Sequence, residues 1–228
     1  MINILLLSLS SYYLARYLKY REPSYLFIGS LITAMCYIID PVIIFLLPVY
    51  ASVFYFSCHN SCTKKRISQL FVFVFPTAAA VFSLSYISWI YGRGFRFIYL
   101  DGSLFERSVE YSNLSSSFSI SSISFYLLFY VLSYIIMLIW LIYKKGPFRP
   151  FIYLYLMPIF FYLAKYIVGN YKADLSFYSL YFFYGLFYFL LFKIEMNILT
   201  KFIFYLSLVF NSFLIIYNLY PSLFFMIN

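Results

Sequence analysis

Apolar stretches fill this chain almost from end to end, interrupted only by short basic or polar loops, and that pattern leaves few folds open to it. Apolar residues make up 65 % of the 228 and charged residues 10 %, where soluble domains carry roughly 45–50 % and about 25 %. A water-soluble domain of this length has too little polar surface to cover so much apolar side chain. The expectation is an all-α, polytopic transmembrane helical bundle, a single integral membrane domain over 1–228. The first twenty residues have no basic group ahead of their apolar run, which reads as a retained first span and not as a cleaved leader.

About eight apolar segments can be drawn, at 2–18, 24–39, 42–57, 70–91, 123–143, 151–169, 176–192 and 202–220. The second and third are short and meet at Asp40-Pro41, where proline removes a backbone donor and disfavours helix at the residue before it. They therefore form a helical hairpin or a re-entrant loop, giving seven to eight spans. With the hairpin, one face of the membrane holds Arg16, Lys19 and Arg21, then Lys64, Lys65 and Arg66, then Lys144, Lys145 and Arg149, then Lys193 and Lys201. Against those eleven, the other face holds Arg93, Arg96, Arg107 and Lys172. That imbalance marks the richer face as cytoplasmic. Both termini then face away from the cytoplasm, and a bacterial cytoplasmic membrane fits best, with an organellar membrane as the alternative. No long internal repeat and no interdomain linker is evident. The stretch 92–122 is expected to be an extracytoplasmic loop with an interfacial helix and a serine-rich connector.

The formal charge of +9 does not point to nucleic acid, because the cations sit in small clusters between apolar runs. Asp40 and Lys165 are the charges placed within or against apolar segments, and intramembrane charge is costly enough to suggest function. Three readings stand for them: a turn residue with a snorkelling lysine, an ion pair on one side of the membrane, or a relay for protons or substrate. Arg93 and Arg96 stand where the outer loop begins, followed by Asp101, Glu106, Arg107 and Glu110, so they are candidates for lipid headgroups or an acidic partner. Cys58, His59 and Cys62 form a small cluster, but zinc needs four ligands and the chain has one histidine; no metal or cofactor is expected.

Ser207, Asn211 and Asn218 share a face of the last span, and Tyr178, Tyr181, Tyr184 and Tyr188 make a stripe on the preceding one beside Gly185. These sets serve either as hydrogen-bonding contacts between helices or as the lining of one polar cavity. Ala79 and Ser83, one turn apart after Pro76, are small residues suited to a close helix contact within the chain or with another subunit. Nucleotide-binding, hydrolase and metalloprotease motifs are missing from the sequence. The functional expectation is a non-catalytic subunit of a multi-protein membrane assembly of the secretion, conjugation or envelope-biogenesis type, in contact with lipid and other membrane proteins. Its alternatives are a small permease with a pathway near Asp40 and the Tyr and Asn faces, and a lipid-modifying enzyme with its site at the outer interface, drawing on Asp101, Glu106, Glu110, Arg93 and Arg96.

Overall fold

A computed structural model describes residues 2–57, 63–91, 120–144, 148–167 and 175–219. Helices account for the architecture, and no strand occurs among the described residues. In chain order they are α1 (Ile2–Tyr20), α2 (Pro23–Ile39), a 3-10 segment Pro41–Leu46 running into α3 (Leu47–Ser57), α4 (Thr63–Ile90), α5 (Ile120–Lys144), α6 (Arg149–Tyr155), α7 (Met157–Ile167), α8 (Leu175–Phe192) and α9 (Ile198–Leu219). By contacts the long helices order as α4, α2, α1, α8, α5 and α9. Two broken helices pack on this row and on each other, the 3-10 segment against α7 and α3 against α6. Since Pro41–Ser57 and Arg149–Ile167 pair first half to last half, they run antiparallel.

The first break is written in local chemistry. Asp40 leaves the helical region (φ −138°, ψ 97°), its amide closing α2 on the Cys36 carbonyl and its carboxylate accepting from the Val42 amide at 3.2 Å. Pro41 follows at the first helical position, where its missing N–H costs nothing. Pro48 cannot donate to the Ile44 carbonyl, and the Leu47 amide takes that acceptor instead, which tightens the turn to 3-10 spacing.

Hydropathy predicts one uninterrupted span at 151–169, and here the structure departs from it. The helix is interrupted at Leu156, two residues before Pro158. The Ile159 amide bonds back to Leu156 at 3.0 Å, a three-residue step, so the Tyr155 carbonyl loses its usual donor. The two joints carry the same short pattern, Phe45-Leu-Leu-Pro-Val-Tyr50 and Tyr155-Leu-Met-Pro-Ile-Phe160, in opposite chain directions. The matching break that the apolar run concealed is therefore present.

Among the described residues one helical stretch, Ile67–Ile90, is by itself long and apolar enough to cross a membrane; Pro23–Ile39, Val42–Val53, Val131–Lys144 and Ile198–Leu214 are apolar but shorter. Tyr50, Tyr155, Tyr184, Tyr188, Phe73 and Phe192 are fully buried between the row and the broken pair, and Phe189 stacks on Phe204 between α8 and α9. Helices approach closely where side chains are smallest. A Cβ added at Gly185 would stand 3.1 Å from the Ser133 carbonyl carbon of α5, and one at Gly29 would stand 2.7 Å from Leu14 Cδ2 of α1. Ala79 and Ser83 make no such contact among the described residues. They lie on the exposed side of α4, whose inner face is Phe73, Thr77, Val81, Ser85 and Ser88.

Candidate functional site

Polar groups gather along the two broken helices at three levels, and each level follows from the backbone around it. At the Asp40 end, Lys165 of α7 meets the Asp40 carboxylate at 2.8 Å, with its ammonium 4.7 Å from the centre of the Phe161 ring. The side chains are 27 % and 12 % exposed, so the pair is only partly buried. Of the three readings of these charges, the ion pair is the one the geometry contains. Asp40 has two tasks, holding Lys165 through Oδ2 and capping the 3-10 segment through Oδ1.

At mid-height the joints are held by tyrosine. Tyr134 of α5 donates its hydroxyl to the Tyr155 carbonyl at 2.9 Å, filling the acceptor that the Leu156 turn frees. Tyr155 returns the bond to the Tyr134 carbonyl at 3.1 Å, and the rings stack with centroids 4.5 Å apart. Two residues after Pro48, the Tyr50 hydroxyl lies 2.9 Å from Ser11 of α1, and Ser11 also bonds Tyr184 of α8 at 2.6 Å. One turn along α8, the Tyr188 hydroxyl is buried with no partner among the described residues, its ring edge-on to Tyr155 at 4.6 Å. Ser10 and Thr33 join α1 to α2 at 2.6 Å beside Gly29, whose carbonyl both hydroxyls meet.

At the opposite end Lys19 of α1 bonds the Leu191 carbonyl at 2.6 Å and Glu195 at 2.8 Å. A cation at the last carbonyls of α8 satisfies acceptors that the helix leaves open and suits the negative end of its dipole. Arg16, one turn earlier, donates to the Tyr25 hydroxyl at 2.7 Å and lies 4.3 Å from the centre of that ring.

The remaining candidates divide. Tyr181, Tyr184 and Tyr188 do face inward, and Tyr181 meets Tyr134 edge-on at 4.7 Å. Among the described residues they fill the core ring against ring. Ser133 of α5 stands between α8 and α9, backing Gly185 on one side and meeting the Asn211 amide at 3.3 Å on the other. Ser207 bonds the Phe204 carbonyl within its own helix. Cys58, His59, Cys62, Arg93, Arg96, Asp101, Glu106, Arg107 and Glu110 lie outside the described residues, as do the side chains of Tyr178 and Asn218.

Sequence reasoning passed over Ser10, Ser11, Tyr50, Tyr134, Tyr155 and Glu195. The signals were available: adjacent serines in the middle of α1, and a proline two or three residues from a tyrosine in each broken helix. The described residues contain no cluster of three His, Cys, Asp or Glu able to hold a metal. Among the described residues the arrangement offers a partly exposed ion pair at each end of the two jointed helices and buried hydroxyls between them. Comparison with protein-family models, with curated proteins and with solved structures returns no match.

Proposed function

We propose that the chain is a polytopic membrane protein that passes a small charged or polar solute along its two broken helices, entering at Asp40 and Lys165. Eight apolar segments with basic loops at alternate junctions support the membrane setting. So do the exposed apolar residues of the outer helices, such as Phe27, Leu31 and Met35 on α2, Ile139 and Ile142 on α5, and Val209 and Phe213 on α9. The observation that carries the solute reading is the second proline joint, which lies against the first in the opposite chain direction. Paired interruptions of helices occur at carrier sites, and here the two interrupted helices also carry the Asp40–Lys165 pair at one end. The bacterial cytoplasmic membrane, with the Asp40 end and both termini away from the cytoplasm, is the setting that fits the basic loops.

A panel of radiolabelled amino acids, sugars and inorganic ions tested on proteoliposomes should reveal uptake that depends on the protein. Asp40→Asn should abolish it while inserting normally. Full uptake by a correctly inserted Asp40→Asn protein would remove the residue on which the pathway is built.

A second reading, as a subunit of a larger membrane assembly, draws on α4. Its outward face presents Ala79 and Ser83 one turn apart among Phe75, Phe82 and Tyr86, a small-residue seat of the kind that lets another helix approach. Recovery of other proteins at fixed stoichiometry after gentle solubilisation, lost on Ala79→Leu, would favour it.

A further inference from the structure

The outward stripe of α1 changes character along its length. Leu5, Leu9, Tyr12, Arg16 and Tyr20 recur every three or four residues, so they share one face, and each is half-buried or exposed. Leu7, Leu14 and Leu18 on the opposite face are buried. The helix packs between α2 and α8, which flank the stripe with Tyr25 and with Phe187, the latter 5.4 Å from Tyr12 ring to ring. Toward the Lys19 end the stripe passes from leucine to tyrosine to arginine.

Arg16 is the charge in that stripe. Its guanidinium carbon lies 4.3 Å from the centre of the Tyr25 ring and 5.7 Å from those of Tyr12 and Tyr20. One N–H of the five goes to the Tyr25 hydroxyl at 2.7 Å. Among the described residues no carboxylate pairs with it: Glu195 at the same end is held by Lys19, and Glu22 lies exposed beyond the helix. Ring faces and a hydroxyl orient the cation but leave its charge uncancelled. It stands four residues before the end of α1, about 6 Å along the axis. From that depth an arginine reaches the headgroup layer of a membrane.

From this we propose that the stripe binds one anionic glycerophospholipid, its phosphodiester on Arg16 and an acyl chain along Leu9 and Leu5. The planar guanidinium offers paired, charge-assisted donors to two phosphate oxygens. Tyr25, having accepted a hydrogen from Arg16, keeps its own O–H to donate to the same anion. Tyr12 and Tyr20 stand where the glycerol esters and the water begin, the level at which amphipathic rings settle. A net anion is favoured over a zwitterionic headgroup because the exposed Lys144, Arg149 and Lys193 stand at the same end and add to the local positive field. The inference rests on the membrane setting and not on the solute pathway.

Native mass spectrometry of the detergent-purified full chain tests it, with palmitoyl-oleoyl-phosphatidylglycerol, the matching phosphatidylcholine, the matching diacylglycerol and sodium phosphate as separate probes. The wild type should hold one phosphatidylglycerol that persists when the outer lipids are stripped. Arg16→Gln should weaken that binding about ten-fold, the scale of one charge-assisted bond. Lys193→Gln, which removes an exposed cation from the same end, should leave it unchanged. On the wild type itself, phosphatidylglycerol should shield Arg16 from phenylglyoxal, read by peptide mapping, and diacylglycerol should not. Equal retention by Arg16→Gln, or equal losses in the two variants, would overturn the proposal. Equal phenylglyoxal modification with and without phosphatidylglycerol would do so even if Arg16→Gln failed to fold. Equal binding of phosphatidylcholine or diacylglycerol would show that the net anion is not read, and displacement of the lipid by an equal concentration of phosphate would assign Arg16 to the free ion; either result counts against it. Recovery of the chain from the aqueous fraction without detergent would remove the membrane setting and the lipid with it.

Discussion

Ser11→Ala is the substitution with the clearest consequence, because one small hydroxyl serves two fully buried tyrosines from different helices. Its oxygen lies 2.9 Å from Tyr50 and 2.6 Å from Tyr184. Without it, Tyr184 falls back on the Leu7 carbonyl at 3.5 Å, a weak bond at best. Ser10, next along the helix, is already committed to Thr33 and the Gly29 carbonyl and has limited capacity to replace it. Leaving a buried hydroxyl unsatisfied costs about 1–3 kcal/mol. Hydrogen bonds between helices in apolar surroundings average roughly 0.6 and reach about 1.7 kcal/mol. Together these give a loss of about 2 kcal/mol. Titration of the reconstituted protein with denaturing detergent, followed by circular dichroism, measures it. Ser8→Ala is the control, since Ser8 bonds only the Ile4 carbonyl of its own helix among the contacts described, and it should cost below about 0.5 kcal/mol. The triple variant Ser11→Ala, Tyr50→Phe, Tyr184→Phe should recover much of the loss, because neither hydroxyl that Ser11 served is then left buried without it. If Ser11→Ala were as mild as Ser8→Ala, or the triple variant worse than the single, the hub would not be holding α1, α3 and α8 together.

Three more perturbations reach other parts of the structure. Asp40→Asn and Lys165→Met should each destabilise by about 1–2 kcal/mol, below the range for a fully buried pair because this one is partly exposed, and the double variant should be milder than either in the same detergent titration. Gly185→Ala should cost about 1–3 kcal/mol, since the new Cβ would meet the Ser133 carbonyl carbon at 3.1 Å and backbone cannot rotate away; a neutral melting temperature would mean that α5 and α8 are not in that close contact. Amine-reactive labelling from each side of sealed vesicles should find Lys64 and Lys144 on the same face. Labelling on opposite faces would undo the assignment of the spans.

Much of the helical framework was legible in hydropathy, and the reasons for the misses are local. Segments 2–18 and 24–39 match α1 and α2 within a few residues, because each apolar run ends at a charge or a proline that also ends the helix. The Asp40-Pro41 break was visible for the same reason. Pro158 lies inside an unbroken apolar run, so composition offered nothing to mark it. Proline alone would not have settled the matter either, since α4 runs from Thr63 to Ile90 straight through Pro76. The Asp40–Lys165 pair was open to sequence reasoning because both residues were charged, few in kind and assigned to one side. The tyrosine contacts were not. With 28 tyrosines in the chain, no pattern singles out Tyr134 and Tyr155 until α5 and α6 lie together.

The placement of those contacts bears on which part of the pair is free to move. Tyr50 lies on α3 and Tyr155 on α6, the halves of the broken helices toward the Lys19 end, so the Ser11 hub and the Tyr134 clasp tie down those halves. The other two halves, the 3-10 segment and α7, lie beyond the joints. At each joint proline deletes one rung of the backbone ladder, which uncouples the half-helix from its anchored neighbour. Among the described residues the two far halves pack on each other and are joined by the Asp40–Lys165 pair. An ion pair partly open to solvent is held weakly, and a solute ion that competes for either charge lowers the cost of parting them. If the protein opens, the structure therefore favours opening at the Asp40 end about Leu46–Pro48 and Leu156–Pro158, with the tyrosine level standing still. Spin labels at Ile44 and Leu163 should then separate on Lys165→Met while labels at Val49 and Ile152 keep their distance. Equal movement of both pairs would place the hinge elsewhere.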